Sequence, residues 1–185
     1  MRSLLAGLAI GIGGTAFLAS DSKLVGAVLF GIGLYMVCFF KLALFTGKVC
    51  YIRGTGYLAR MLICNFTGAG LMGAVIRFAR TELVEKAGTI CQAKLAEGWR
   101  LLPLGILCNV LIFVAVESYS KNQYGLFLAV TVFIMCGFEH CIANAFYFAV
   151  AAEPMGVPYV ICNAICNAVG GIMCRRCSKN GRKID

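Results

Sequence analysis

The sequence predicts an all-α integral membrane protein: one transmembrane domain, residues 1–185, with six transmembrane helices in two inverted sets of three, the second and fifth helices interrupted. Three observations carry this expectation. The 185 residues are 61% hydrophobic with a mean hydropathy of +0.86, well above the roughly 45–50% apolar content of soluble domains. Several apolar runs approach or exceed the ~20 residues a helix needs to cross a bilayer. Two of those runs are broken at matching places by glycine and polar or ionisable residues.

The first run covers residues 3–20. Arg2 before it and Ala16-Phe17-Leu18-Ala19-Ser20 at its end also fit a signal peptide with a small-residue cleavage site. Its removal would leave five spans and put the termini on opposite sides, so a retained helix is expected. Gly11-Ile12-Gly13-Gly14 inside it suits close helix contact, because no lysine follows in the place a phosphate loop requires. The second run, 23–41, leads into Lys41-Leu42-Ala43-Leu44-Phe45-Thr46-Gly47-Lys48, and residues 41–60 read as a loop holding Lys41, Lys48, Arg53 and Arg60 without an acid. The third run is 56–77. Residues 78–100, with Arg80, Glu82, Glu85, Lys86, Lys94, Glu97 and Arg100, are too polar to span. They read as an external, partly helical connector ending near Trp99, a residue suited to a membrane interface. The fourth, fifth and sixth runs are 101–117, 123–149 and 156–174.

Charge agrees with this layout. There are 17 Lys+Arg against 8 Asp+Glu, a net +9, and the tail 175–185 holds Arg175, Arg176, Lys179, Arg182 and Lys183. In a polytopic protein this is the positive-inside pattern and not a nucleic-acid surface; the lipid bilayer is the partner it implies. An even number of spans then places both termini in the cytoplasm. The 11 cysteines lie mostly in apolar segments, where Cys packs as a small hydrophobe, so no disulfide framework is predicted. Cys174-Arg175-Arg176-Cys177 lacks the second ligand pair of a zinc site, and a single histidine leaves no metal constellation and no cofactor. The many unprotected thiols point to a reducing setting.

Residues 3–77 and 101–174 form the two halves. Their third spans share a pattern, Ile63-Cys64-Asn65-x-x-Gly68 against Ile165-Cys166-Asn167-x-x-Gly170. Each middle span is broken, one around Thr46-Gly47 and the other at Gly137-Phe138-Glu139-His140. Paired breaks in inverted halves point to a transport site near the bilayer midplane, because non-helical backbone survives there only when it is buried in protein or lines a cavity. Half-helices starting at the breaks turn their positive ends inward and favour something negative. An ionisable residue inside a membrane is a functional residue by default, which singles out His140, able to exchange a proton near neutral pH. Glu139 is expected to orient or buffer His140. Asn109 and Asn167 fit either interhelical hydrogen bonding or pore lining. Lys94, Lys41 and Lys48 would collect anions at the mouths. Two other classes fit less well: an aquaporin-type solute channel calls for Asn-Pro-Ala at both breaks, and a thiol enzyme using Cys141 and His140 needs side chains that point about 100° apart on a helix.

The motifs resemble those of the formate/nitrite transporter family: Leu44-Phe45-Thr46-Gly47-Lys48 at the first break, Cys108-Asn109 in the fourth span, Gly137-Phe138-Glu139-His140-Cys141-Ile142-Ala143-Asn144 in the fifth and Asn167-Ala168-Val169-Gly170-Gly171 in the sixth. The resemblance covers essentially the whole chain in order. It implies a homopentamer of aquaporin-like protomers, each with its own pore, in a bacterial inner or plasma membrane. Those pores pass small monovalent weak-acid anions such as formate, nitrite or hydrosulfide, with or without a proton. It places His140 at the pore centre facing Thr46, with Glu139, Asn109, Asn144 and Asn167 around them. Phe30, Leu34, Leu44, Ile112 and Phe133 are the implied constrictions. Lys48 departs from the asparagine usual at that place, and the chain is expected to lack the N-terminal cytoplasmic helix of longer members.

Overall fold

The computed structural model describes residues 1–52 and 54–177, with side chains to Cys174. Arg53, the side chains of Arg175, Arg176 and Cys177, and the remainder of the basic tail with Lys179, Arg182 and Lys183 lie outside the described residues, as therefore does the Cys174–Cys177 pairing. The described residues form nine α-helices: α1 (Arg2–Ala19), α2 (Lys23–Phe39), α3 (Phe45–Lys48), α4 (Thr55–Ala79), α5 (Glu82–Ala96), α6 (Leu101–Tyr119, entered through a 3-10 turn at Gly98–Arg100), α7 (Gln123–Met135), α8 (Cys141–Ala151) and α9 (Gly156–Cys177).

Four of these are long and apolar enough to cross a membrane: α1, α4, α6 with its 3-10 turn, and α9. The others that are apolar are shorter, with α2, α7 and α8 at 17, 13 and 11 residues. At about 1.5 Å per residue α7 and α8 are only ~20 and ~17 Å long, against a hydrocarbon core of ~30 Å. The apolar run 123–149 is therefore two helices with Cys136–His140 between them, and the run 23–41 stops being helical at Phe39. Local chemistry sets these ends. Ser22 Oγ accepts the Val25 N–H at 3.4 Å to start α2, and Asn122 Oδ1 accepts the Tyr124 N–H at 2.8 Å to start α7. At the end of α8, Ala152 turns left-handed with φ 53°, and Pro154 follows two residues later.

Helix α1 packs on α2 and α4, α6 packs on α7 and α9, and α4–α8 and α2–α7 contacts join the two groups. Glycine permits the tightest of these approaches. A Cβ on Gly68 would stand 2.1 Å from the Leu4 carbonyl oxygen, and one on Gly170 would stand 2.2 Å from that of Ile106. The α1–α4 and α6–α9 backbones thus touch directly, the small-residue packing that replaces hydrophobic drive inside lipid. Outward, α4 and α9 present Ile63, Leu71, Val75, Ile161, Ile165 and Ile172, all exposed. Such an apolar face is ordinary against lipid and costly against water.

Two polar stretches behave differently from each other. Residues 78–100 do form a helical connector: α5 buries Leu83, Ala87 and Cys91, one stripe at four-residue spacing, and packs against α8. Lys86 on its exposed side bonds Asp21 at 2.9 Å, tying the α1–α2 turn to α5 and holding the Asp21 carboxyl below its ordinary value of 3.8. Arg80 and Glu82 pair at its start. Of residues 41–60, expected as a loop, the part from 42 to 50 is instead largely folded inward, and Thr55 onward belongs to α4. Leu44, Phe45, Thr46, Gly47, Val49 and Cys50 are buried, because the turn of α3 is captured by hydrogen bonds from the surrounding helices.

Candidate functional site

Two short non-helical segments, residues 40–44 before α3 and 136–140 before α8, meet inside the helices and build the site. Both begin alike. After α2, the Lys41 N–H donates to the Cys38 carbonyl (3.1 Å) and Leu42 N–H to Val37 (2.8 Å). After α7, Gly137 N–H donates to Ile134 (3.1 Å) and Phe138 N–H to Phe133 (2.9 Å). This is the Schellman way of ending a helix, which needs a left-handed residue; Gly137 supplies φ 69° freely, whereas Lys41 adopts φ 51° with a side chain in place.

Both segments also end alike, each held by a buried asparagine. Asn65 Oδ1 accepts the Phe45 N–H at 2.7 Å, while its Nδ2 donates to the carbonyls of Ser3 (2.6 Å) and Ala43 (3.0 Å). Asn167 Oδ1 accepts the Cys141 N–H at 2.9 Å, while its Nδ2 donates to Gly105 (2.7 Å) and Glu139 (2.8 Å). The asparagine and its first carbonyl partner are 62 positions apart in both sets. Each clamp satisfies a helix-initiating N–H and a carbonyl of the non-helical segment, groups that could not be left unpaired at membrane depth.

Between the clamps lies the ionisable centre. His140 is the N-cap of α8: its Nδ1 accepts the Ala143 N–H at 3.2 Å, and its Nε2 meets Thr46 Oγ1 at 3.0 Å. With Nδ1 committed as an acceptor, the neutral ring carries its proton on Nε2 and donates it to the Thr46 oxygen. His140 and Thr46 are both buried. The Phe133 ring stacks on the imidazole at 6.1 Å and meets Phe30 edge-on at 6.0 Å.

Glu139 faces the other way. Its carboxylate receives Lys94 Nζ on both oxygens, at 2.7 and 2.8 Å, and Asn144 Nδ2 at 2.6 Å. Among the described residues no hydrogen bond joins it to the His140 ring, so the expected direct buffering of the histidine is replaced by pairing with α5. The reason is backbone geometry: His140 sits in extended conformation at φ −101°, ψ 114°, where successive side chains point to opposite sides. Lys94 is correspondingly bound to Glu139, with its side chain 16% exposed, and does not stand alone as a free cation.

Lys41 and Lys48 lie elsewhere. They line a cavity of about 280 Å³ beside α3, together with Leu34, Leu44 and Tyr51. Tyr51 donates its hydroxyl to the Glu117 carboxylate on α6. Leu34, Leu44 and Ile112 are buried. Asn109 donates weakly to Cys50 Sγ at 4.0 Å, and its Oδ1 has no hydrogen-bond partner although it is fully buried. Sequence reasoning passed over two asparagines. Asn65 had a signal, the Ile-Cys-Asn-x-x-Gly pattern shared by α4 and α9; Asn163 had none. Among the described residues no group of three or more His, Cys, Asp or Glu is placed to hold a metal ion.

A family model described as Formate/nitrite transporter matches residues 1–177. The chain belongs to the formate/nitrite transporter family. As a family member with several membrane-crossing helices it is a multi-pass membrane protein, of a family of channels and transporters and not of enzymes. It is 30% identical to "Formate channel FocA" of Haemophilus influenzae over 160 residues, 74% of this chain and 55% of that one, so it spans little more than half the length of that relative. It is 26% identical to "Formate channel FocB" of Escherichia coli over 85% of this chain and 68% of that one. Two solved structures share the fold: "Pentameric formate channel with formate bound" (TM-score 0.79, 24% identity, 96% of this chain and 91% of that chain) and "FNT family ion channel" (TM-score 0.83, 21% identity, 94% and 85%).

Proposed function

We propose that this chain is a channel for small monovalent weak-acid anions, formate, nitrite or hydrosulfide, passing each with a proton as the neutral acid by way of His140. The observation that carries the reading is the 3.0 Å contact between Thr46 and His140, which joins the two non-helical segments at one buried point. The matching terminations and asparagine clamps support two inverted halves of three spans, α1–α4 and α6–α9, in which α2–α3 and α7–α8 are the interrupted second and fifth helices. The formate channels among its relatives support the anion, and the pentameric neighbour supports a homopentamer of separate pores. Bacterial relatives support a bacterial plasma membrane, and an even span count with a basic C-terminal tail supports both termini in the cytoplasm.

The proposed cycle runs from charge to desolvation to proton transfer. Lys41 and Lys48 draw the anion into the cavity beside α3. A left-handed backbone at a lysine costs about 1 kcal/mol, so Lys41 stands at this cavity at the expense of local strain. Past Leu34 and Leu44, and between Phe30 and Phe133 on the far side, water is stripped and the charged form becomes expensive. There His140 Nε2–H and the Thr46 hydroxyl offer hydrogen bonds to the permeant oxygen or sulfur; the neutral ring keeps its own proton, and the proton that accompanies the anion is taken from water on the entry side and returned to water on the exit side. Asn167 holds the backbone around this point, Asn144 holds the Glu139 carboxylate, and the buried Asn109 lies against Cys50.

The test is uptake of formate, nitrite and hydrosulfide into proteoliposomes at several pH values, for the native chain and His140→Asn, with internal pH recorded. Expected is saturable uptake with one proton per anion, reduced at least tenfold in the variant. No flux of any of the three would overturn the channel reading, and flux without proton movement would replace it with bare-anion conduction.

A further inference from the structure

We infer that Asn163, on α9, is a positioning residue for the His140 turn, a second polar bracket that sets the direction of the imidazole. The inference rests on the reading of His140 as the centre of the transport path. Asn163 is fully buried, one turn before Asn167 on the same helix face. With its amide oriented so that both ends are satisfied, Nδ2 donates to the Glu139 carbonyl oxygen at 2.9 Å, and Oδ1 accepts from Asn144 Nδ2 at 2.7 Å and from the Cys141 N–H at 3.2 Å.

Those partners are the backbone groups on either side of His140. The Glu139 carbonyl already takes one bond from Asn167, and the Cys141 N–H already gives one. Asn163 fills the carbonyl's second lone pair and shares the N–H, so residues 139 and 141 are each held by two amides. The peptide units flanking His140 therefore lose freedom to rotate, and the ring's direction toward Thr46 follows from them. Through Asn144, Asn163 also reaches the residue that donates to the Glu139 carboxylate at 2.6 Å, which links the bracket to the Glu139–Lys94 pair. Space for it comes from Gly105, where an added Cβ would stand 2.9 Å from the nearer atom of the Asn163 amide. The other half has no such second amide: the residue one turn before Asn65 is the buried Met61. The extra bracket is confined to the half that carries the histidine.

Because the chain has one histidine, its ring nitrogens give an unambiguous NMR signature. The experiment uses the full chain in lipid bilayers, with ¹⁵N-labelled imidazole, in native, Asn163→Met and Asn163→Ala forms, alongside formate flux against pH. In the native protein a single tautomer with the proton on Nε2 is expected. In both variants the ring is expected to show mixed tautomers or broadened lines, with flux reduced about tenfold and its pH profile displaced, while thermal unfolding remains cooperative. A variant that folds with an unchanged His140 signature and unchanged pH profile would overturn the inference. Should the native chain carry no formate, nitrite or hydrosulfide at all, the function reading fails while the tautomer comparison still decides the role of Asn163.

Discussion

The two non-helical segments are built on the same frame and furnished for different work. Each leaves a helix through a left-handed residue, Lys41 or Gly137, and enters the next helix under an asparagine clamp, Asn65 or Asn167. In the first, the residue capping the new helix is Leu44, which has no polar side chain to offer; in the second it is His140, which caps α8 with its own ring. The first keeps two lysines at a cavity, with no ion pair to either among the described residues, whereas the second buries an ion pair and adds Asn163. The shared features are those demanded by backbone hydrogen bonding at membrane depth, and the differences are where charge and proton chemistry enter. A segment's frame and its function can thus be separated residue by residue.

The largest effect is expected from breaking the feature found only in the second segment. Lys94→Met leaves the Glu139 carboxylate buried without its cation and should cost about 3–5 kcal/mol of stability, read as a loss in thermal unfolding of the reconstituted protein. Adding Glu139→Leu to that variant should recover most of the loss; failure to recover would mean that Lys94 acts through something other than the pair. Next come the clamps common to both. Asn65→Leu leaves the Phe45 N–H and the Ala43 carbonyl without their amide partner and should cost roughly 2–3 kcal/mol, whereas Asn167→Leu should cost less, because Asn163 still holds the Glu139 carbonyl and the Cys141 N–H. Equal losses in thermal unfolding would mean that Asn163 adds nothing to the second clamp. A smaller effect is expected at Lys41→Gly. Relief of the left-handed strain should stabilise by about 1 kcal/mol while formate flux at low concentration falls several-fold, opposite signs measurable in one preparation. Smallest is the tie outside the membrane. Asp21 is held below its ordinary value by the hydrogen bond and charge of Lys86, so its contribution is present above 3.8 and disappears as pH falls through the folded value. Protection of the α5 amides, taken relative to intrinsic exchange at each pH, should therefore be lower at pH 3 than at pH 6, and Lys86→Met should abolish that difference.

Much of this frame was legible in the chain. Apolar run lengths located α1, α4, α6 and α9 to within a few residues, and the polar, glycine-bearing interruptions marked where α2 and α7 stop. The inward fold of residues 44–50 was hidden because lysines at 41 and 48 flank it and read as a water-exposed loop; the apolar and small residues between them decide the outcome. His140 stood out as the lone histidine, and Thr46 through its motif. The partner of Glu139 was not legible, since adjacency in sequence suggested His140, whereas an extended backbone turns consecutive side chains apart. Asn163 was invisible for a different reason: a polar residue on an apolar helix says that it has a partner, never which one.

One consequence of the Glu139–Lys94 pair concerns residence time. A lone lysine beside the centre would hold an anion tightly and release it slowly, and conduction requires sites that bind weakly enough to empty. With its charge answered by Glu139, Lys94 contributes local polarity with no net charge, which leaves a shallow well in place of a trap. In the proposed channel the pair would thereby act on turnover, its strength bearing on how fast an anion leaves the centre.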